Sequence, residues 1–393
     1  MNQKHSQYRP LQVVASFFVT LLVASACTRE PILHLHEEGH LPNVDTDLPI
    51  VEIGLDVFWD YRLVYGDDYD WEKEWYYGWD DTDRDLFGEL GYKEPKTFQL
   101  RRYFTDQVPR APHTTVDEYY LEQPHFEDRF KWGFHDILVW NNVETLDGVQ
   151  SLNFDETTSL DYVTAYTNPT SDTRVQYPST RTHFMPEPLF AAYEQAIEID
   201  KALTGFTYDP VRKVYVKKLD TMLYPLTYIY LTQIILHHNY GRVEGVDGVS
   251  NLWGMARSVK LNDGVSGSDP IRVNYGCRFK EHCDKEGEDV DIIGGRLMTF
   301  GMCNMNPNTI TRVEDIKEAD GTRHYLDVNM KFYNGMDSTI VFDVTQQVRR
   351  RYKGGVLTIE LDMDTVRIPN RKGGSGFNAV VEDYIEEYHE ILL

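Results

Sequence analysis

From residue 50 onward the chain repeats a two-residue period. Val51-Glu52-Ile53-Gly54-Leu55-Asp56-Val57 alternates apolar with apolar-breaking positions, as a strand with one buried face requires. Lys96 to Phe104, Phe134 to Trp140, Val149 to Phe154 and Leu160 to Tyr166 continue the pattern between turns rich in Asp, Gly, Asn and Thr. Many short strands at this spacing predict a β-sandwich rather than a parallel α/β sheet. Two stretches depart from it. Leu189, Ala192, Tyr193, Ala196 and Ile199 fall near a 3.6-residue spacing and predict a helix over Pro188 to Leu203. A turn of helix is expected around Trp71 to Trp79.

Gly205, Asp209 and Pro210 interrupt the pattern between Leu203 and Arg212, which predicts a linker over 205–212. Strands resume at Leu226 to Leu236, Val290 to Phe300, Tyr325 to Tyr333, Thr339 to Val344 and Val356 to Leu361. Asn334-Gly335 is a strong hairpin signal before Thr339, and Gly354-Gly355 marks another turn. The expected fold class is therefore all-β, with two β-sandwich domains in series. Their expected bounds are 49–204 and 213–393.

The N-terminal region constrains location. Val13 to Ala26 is apolar and follows a start holding Lys4 and Arg9. Such a run is shorter than the roughly 20 residues that span a bilayer, so 1–26 reads as a signal peptide. Ala24-Ser25-Ala26-Cys27 resembles a bacterial lipobox, which makes Cys27 the expected lipidation site and 27–48 a lipidated tether. Ala24 stands where that pattern prefers Leu. Acyl chains on one residue anchor durably, because each buried methylene adds about 0.8 kcal/mol. The expected localisation is the outer membrane, on its periplasmic or its extracellular face.

Removing 1–26 takes away Lys4 and Arg9 and no acidic residue, so the formal charge of −24 becomes −26. That charge excludes nucleic acid as a partner. Three cysteines follow Cys27. Cys277 and Cys283 flank the polar Lys280-Glu281-His282 and form the expected disulfide, with Cys303 buried in an apolar stretch. The cysteine spacings match no usual zinc pattern.

The acidic and aromatic stretch Asp67 to Asp85 is the sharpest local anomaly. Its Trp71, Trp75 and Trp79 either stack on a glycan or pack a loop onto the sandwich, packing being favoured. Asp81, Asp83 and Asp85 have the spacing that opens a calcium loop, but Leu86 and Tyr92 occupy its glycine and glutamate positions. His34, His36 and His40 lie in the tether, and His237-His238 follows a strand. Neither group is expected to bind metal, and no cofactor is expected. The chain has no Gly-x-Ser-x-Gly elbow, no His-Glu-x-x-His and no phosphate-binding glycine loop, so no catalytic residue is assigned and no enzyme activity is expected.

Two further segments carry a family resemblance. Val249 to Ala256 leads to Val259-Lys260-Leu261, and Gly294-Gly295-Arg296-Leu297-Met298-Thr299-Phe300-Gly301 precedes a hairpin that ends Phe342 to Val348. Together with His135 to Asn141 and Ala165-Tyr166-Thr167, this order resembles the fimbrillin-associated anchor lipoproteins of Bacteroidetes, the minor-fimbrium anchor type. The resemblance covers most of 50–370, and Cys27 is its one matching functional residue. It implies two transthyretin-like or immunoglobulin-like β-sandwich domains in a membrane-anchored surface lipoprotein with a structural or adhesive role, whose partners are fimbrillin-like subunits joined by strand addition. The competing reading is a glycan-binding outer-surface lipoprotein that uses Trp71, Trp75 and Trp79.

Overall fold

A computed structural model describes residues 48–58, 69–109, 111–143, 151–155, 159–170, 181–310, 316 and 322–369. Cys27, the expected signal segment and His34, His36 and His40 lie outside them. The described residues are overwhelmingly β, in two large curled sheets and one small one.

The first sheet forms one sandwich by curling. One layer holds β1 (Ile50–Val57), β4 (His125–Arg129), β10 (Thr207–Asp209) and most of β11 (Val214–Pro225). The other holds β2 (Phe98–Thr105), β3 (Thr115–Leu121), β5 (Gly133–Asn141) and β9 (Phe190–Ile199). The C-terminal end of β11 joins the layers by pairing Tyr224 and Pro225 with β9. The alternate residues Val51, Ile53 and Leu55 share a core with Phe98, Leu100, Ile137 and Val139, as the two-residue period predicts.

The second sandwich follows Pro225 almost at once. Its layers are β18 (Asp337–Asp343), β17 (Tyr325–Phe332) and β13 (Val243–Ala256) on one side, and β16 (Glu288–Thr299), β12 (Tyr228–His237) and β19 (Gly355–Asp362) on the other. The long strand β15 (Pro270–Lys285) serves both. Its first half pairs with β13 and its second half with β16. Between the layers lie Ile234, Leu252, Val273, Leu297, Val328 and Leu357. The Asn334-Gly335 hairpin forms as predicted, with Gly335 at φ 73.

The halves exchange strands. β8 (Thr182–Phe184) pairs with β15. β14 (Ser258–Lys260) pairs with β7 (Thr164–Thr167), which also pairs with β6 (Leu152–Asp155).

Two expectations are corrected. Residues 190–199 form strand β9, not a helix. A bulge opposite His135 and Ile137 shifts its register, and Ala196 adopts φ 56 there. The extra residue breaks the strict alternation, so the apolar positions mimic a helical spacing. Residues 205–212 likewise are no linker. Thr207–Asp209 pairs with Val214–Val216 as a hairpin on the edge of the first sheet, and the passage to the second sandwich lies between Pro225 and Tyr228. Gly, Asp and Pro punctuate a hairpin as readily as a domain boundary.

Candidate functional site

The acidic and aromatic stretch folds as a strap across the outer face of β16, β12 and β19. It comprises α1 (Trp71–Glu74), α2 (Asp81–Phe87) and the turns around them. Asp80 caps α2 by a reciprocal capping box with Asp83: the Asp83 N–H donates to the Asp80 carboxylate at 2.9 Å, and the Asp80 N–H to the Asp83 carboxylate at 3.0 Å.

Below the strap, Gln233 ties it to the sheet. Its Oε1 accepts from the Tyr76 N–H at 2.8 Å and its Nε2 donates to the Glu74 carbonyl at 2.6 Å. The Tyr69 hydroxyl accepts from the Val356 N–H at 2.9 Å, and the Tyr92 hydroxyl donates to the Thr227 carbonyl at 2.5 Å. Tyr77 lies over Gly294, where a Cβ would come within 2.4 Å of its ring. Gly294 is thus a niche for the strap, because only glycine permits so close an approach.

Asp83 is fully buried at the centre. It accepts from the Tyr77 hydroxyl at 2.7 Å, and Lys280 Nζ lies 2.6 Å and Arg278 Nε 3.2 Å away. Lys280 also sits over the Tyr77 ring, 3.8 Å from its centre. Arg278 and Lys280 on β15 therefore balance the buried Asp83 together with Asp80, as burial of a charge demands. Burial opposes ionisation of Asp80, but the Asp83 N–H, Lys280 and Arg278 outweigh it and hold that carboxyl well below its ordinary range. Burial, reinforced by Asp83, pushes the Tyr77 hydroxyl well above its ordinary value.

The three tryptophans are packing residues. Trp71 and Trp75 are each 6% exposed and belong to the first core. Trp79 is half-buried, stacks on Trp75 at 6.0 Å and donates to the Gly88 carbonyl at 3.1 Å. Their rings face the sheet, so the stretch presents no open tryptophan platform for a glycan. Asp83, the middle carboxylate of the calcium-like spacing, is committed to Lys280 and Arg278.

The cysteine pairing is also corrected. Cys277 and Cys283 are unbridged thiols on one strand, β15. Six residues of extended chain separate their Cα atoms by about 20 Å at most, and a disulfide requires less than about 7 Å. They also serve different cores, Cys277 the second and Cys283 the first. Cys303 packs against a third cluster, around Leu261 and Phe300.

The paired histidines follow the strand end as expected. His237 lies 2.9 Å from both Glu288 and Glu360. His238 gathers with Asp362 and Asp364 in an arrangement wide enough for a metal ion. Arg242 lies 2.7 Å from Asp364 and already supplies positive charge there.

Sheet edges complete the candidate surface. Glu118 and Asp117 on β3 pair with Arg101 and Arg102 on β2, so that edge is guarded by charge. Among the described residues β18 pairs on one side only, with β17. Its central Ile340-Val341-Phe342 carries no charge and is half-buried. No local pattern marks the Asp83 cluster, because its partners Arg278 and Lys280 are remote in the chain.

No protein-family model and no curated protein matches this sequence. Among solved structures, a candidate adhesin from Bacteroides ovatus aligns with a TM-score of 0.45 and 15% identity, over 82% of this chain and 94% of that one. The fimbrial anchor protein Mfa2 from Porphyromonas gingivalis aligns at 0.35 and 8%, over 79% and 90%. A fimbrial assembly protein from Parabacteroides distasonis aligns at 0.33 and 11%, over 81% and 92%. Superpositions this loose leave the reading to the residues of the chain itself. Among the described residues no helix is long and apolar enough to cross a membrane.

Proposed function

We propose that this chain is a membrane-anchored surface lipoprotein with a structural, non-enzymatic role, an anchor or assembly subunit that holds a partner by strand addition. The observation that carries the reading is the edge strand β18, which among the described residues pairs only with β17, while the strap's tryptophans and Asp83 cluster are committed to the protein's own packing. An edge strand offers unpaired N–H and C=O groups, and an added strand completes them. The sequence supports the other half of the proposal: Cys27 follows an apolar run and Ala24-Ser25-Ala26, as acylation at an outer-membrane anchor requires. The resemblance of 50–370 to fimbrial anchor lipoproteins supports fimbrillin-like subunits as partners.

Two measurements test it. Cys27→Ser should move the protein from the membrane to the soluble fraction and abolish acyl-chain labelling. Crosslinking in cells should recover a fimbrillin-like subunit attached near β18, and Val341→Pro should reduce that product at least fivefold. Recovery of the subunit at full yield with Val341→Pro would place the contact elsewhere.

A further inference from the structure

We infer that the β10–β11 hairpin is a second membrane contact, seated at the headgroup level of the phospholipid surface that holds the acylated N-terminus. The inference rests on the proposed acylation of Cys27 and adds an orientation to it.

Three observations meet at this hairpin. The first is exposed apolar and aromatic surface gathered at one hairpin. Val211 at the tip is 88% exposed, and the cross-strand partners Tyr208 and Tyr215 are 49% and 43% exposed. The two tyrosine rings lie 5.2 Å apart at 59° to each other. Rings so tilted share no plane on which a sugar could stack, but each can place its hydroxyl in the headgroup layer and its edge below it.

The second is local charge. Over residues 200–220 the chain carries Lys201, Arg212, Lys213, Lys217 and Lys218 against Asp200, Asp209 and Asp220. These residues sum to +2, and Glu52 and Glu127, which pair with Arg212 and Lys218, bring the hairpin base to neutrality in a chain of net charge −24. Arg212 is held by Glu52, Asp209 and Glu127, which rigidifies the hairpin base. Lys217 lies over Phe206, and Lys201 and Lys213 are exposed at the same end. Phosphate groups are the anions that such lysines would meet at a membrane.

The third is connectivity. β1 runs parallel to β11 with Ile50 beside Val216, and Phe130 N–H donates to the Pro49 carbonyl at 3.0 Å. The chain therefore joins the first sandwich at the end that carries the hairpin. The 22 residues from Cys27 to Leu48 reach about 70 Å when fully extended, too far to orient the body by themselves. A weak second contact suffices, because the anchor supplies an effective concentration in the millimolar range.

The test uses the full acylated protein in vesicles of phosphatidylethanolamine and phosphatidylglycerol at 3:1, doped with a phospholipid bearing a photoreactive group near its headgroup. Peptide mapping after illumination should find lipid on the segment 202–217. The variant Tyr208→Ser/Val211→Ser/Tyr215→Ser should lower that yield at least fivefold, with an unchanged melting temperature and unchanged Cys27 acylation. An acylated protein whose adducts lie elsewhere, or whose yield the variant leaves intact, overturns the hairpin contact alone. An unacylated Cys27 in the same spectrum overturns the lipoprotein reading on which it rests. A saccharide column that retains the parent and releases the triple variant would reassign the hairpin to glycan.

Discussion

Asp83 and Lys280 meet in a buried ion pair, carboxylate Oδ2 to Nζ at 2.6 Å, between a strap from the first half of the chain and a strand of the second. Arg278 and the Tyr77 hydroxyl complete the carboxylate's surroundings. Removing one partner of such a cluster strands the others in a poor solvent for charge. Asp83→Ala should therefore cost about 3–5 kcal/mol. Urea unfolding checks this, and the double variant with Lys280→Met should recover part of the loss. Equal stability of Asp83→Ala and parent would show that the strap is held by its aromatics alone.

The niche at Gly294 makes a sharper steric prediction. An added methyl would meet the Tyr77 ring at 2.4 Å and the Thr232 carbonyl at 2.9 Å. Gly294→Ala should destabilise by about 1–3 kcal/mol, as overpacking does. Because the clash involves Tyr77, the losses from Gly294→Ala and Tyr77→Ala should not add. A double-mutant cycle with zero coupling energy would refute the contact.

Burial pushes the Cys277 thiol up to about 12, with Asp327 and Asp247 adding to the effect. Burial also raises Cys283, though less completely shielded. A thiol-specific reagent at pH 8 should label Cys283 in the native protein and reach Cys277 only after denaturation. Mapping without reduction should yield the two as separate thiol peptides. A linked Cys277–Cys283 peptide would overturn the arrangement of β15.

His135 and His324 set an acid limit. Both are buried, and burial brings each down to about 4. A histidine whose folded value lies below its ordinary 6.5 stabilises fully above pH 6.5, and that contribution is lost as pH falls toward 4. Each group contributes up to about 3 kcal/mol to this loss. The melting temperature should fall across that window, and His135→Phe, between the rings of Phe104 and Phe130, should flatten the fall. A slope that His135→Phe leaves unchanged would assign the acid sensitivity elsewhere.

Strands with one clean buried face were legible before the structure. Val51 to Val57 and Tyr325 to Phe332 alternate without interruption, and turn chemistry at Asn334-Gly335 fixed a hairpin. β9 was misread because the Asp136 carboxylate accepts from the Ala196 N–H at 2.6 Å and stabilises a bulge, a long-range contact that no local period reveals. The hairpin at 207–216 was misread because local turn residues do not say which sheet receives the next strand. For the tryptophans the sequence leaves packing, the favoured reading, beside glycan stacking, and it does not name their partners: Trp71 and Trp75 share a core with Leu231 and Ile292, far away in the chain. Cys277 and Cys283 were close in sequence, yet an extended strand keeps near neighbours apart.

The parallel pairing of β1 with β11 has a mechanical consequence. Strand β1 lies between β11 and β4, hydrogen-bonded on both sides from its first residue. Tension applied through Pro49 along the axis of that strand would load both ladders in shear, so their bonds would have to fail together. A strand pulled from an edge at right angles would instead yield one bond at a time. The point at which the described chain enters this sheet thus resists being drawn out by a pull along its own axis.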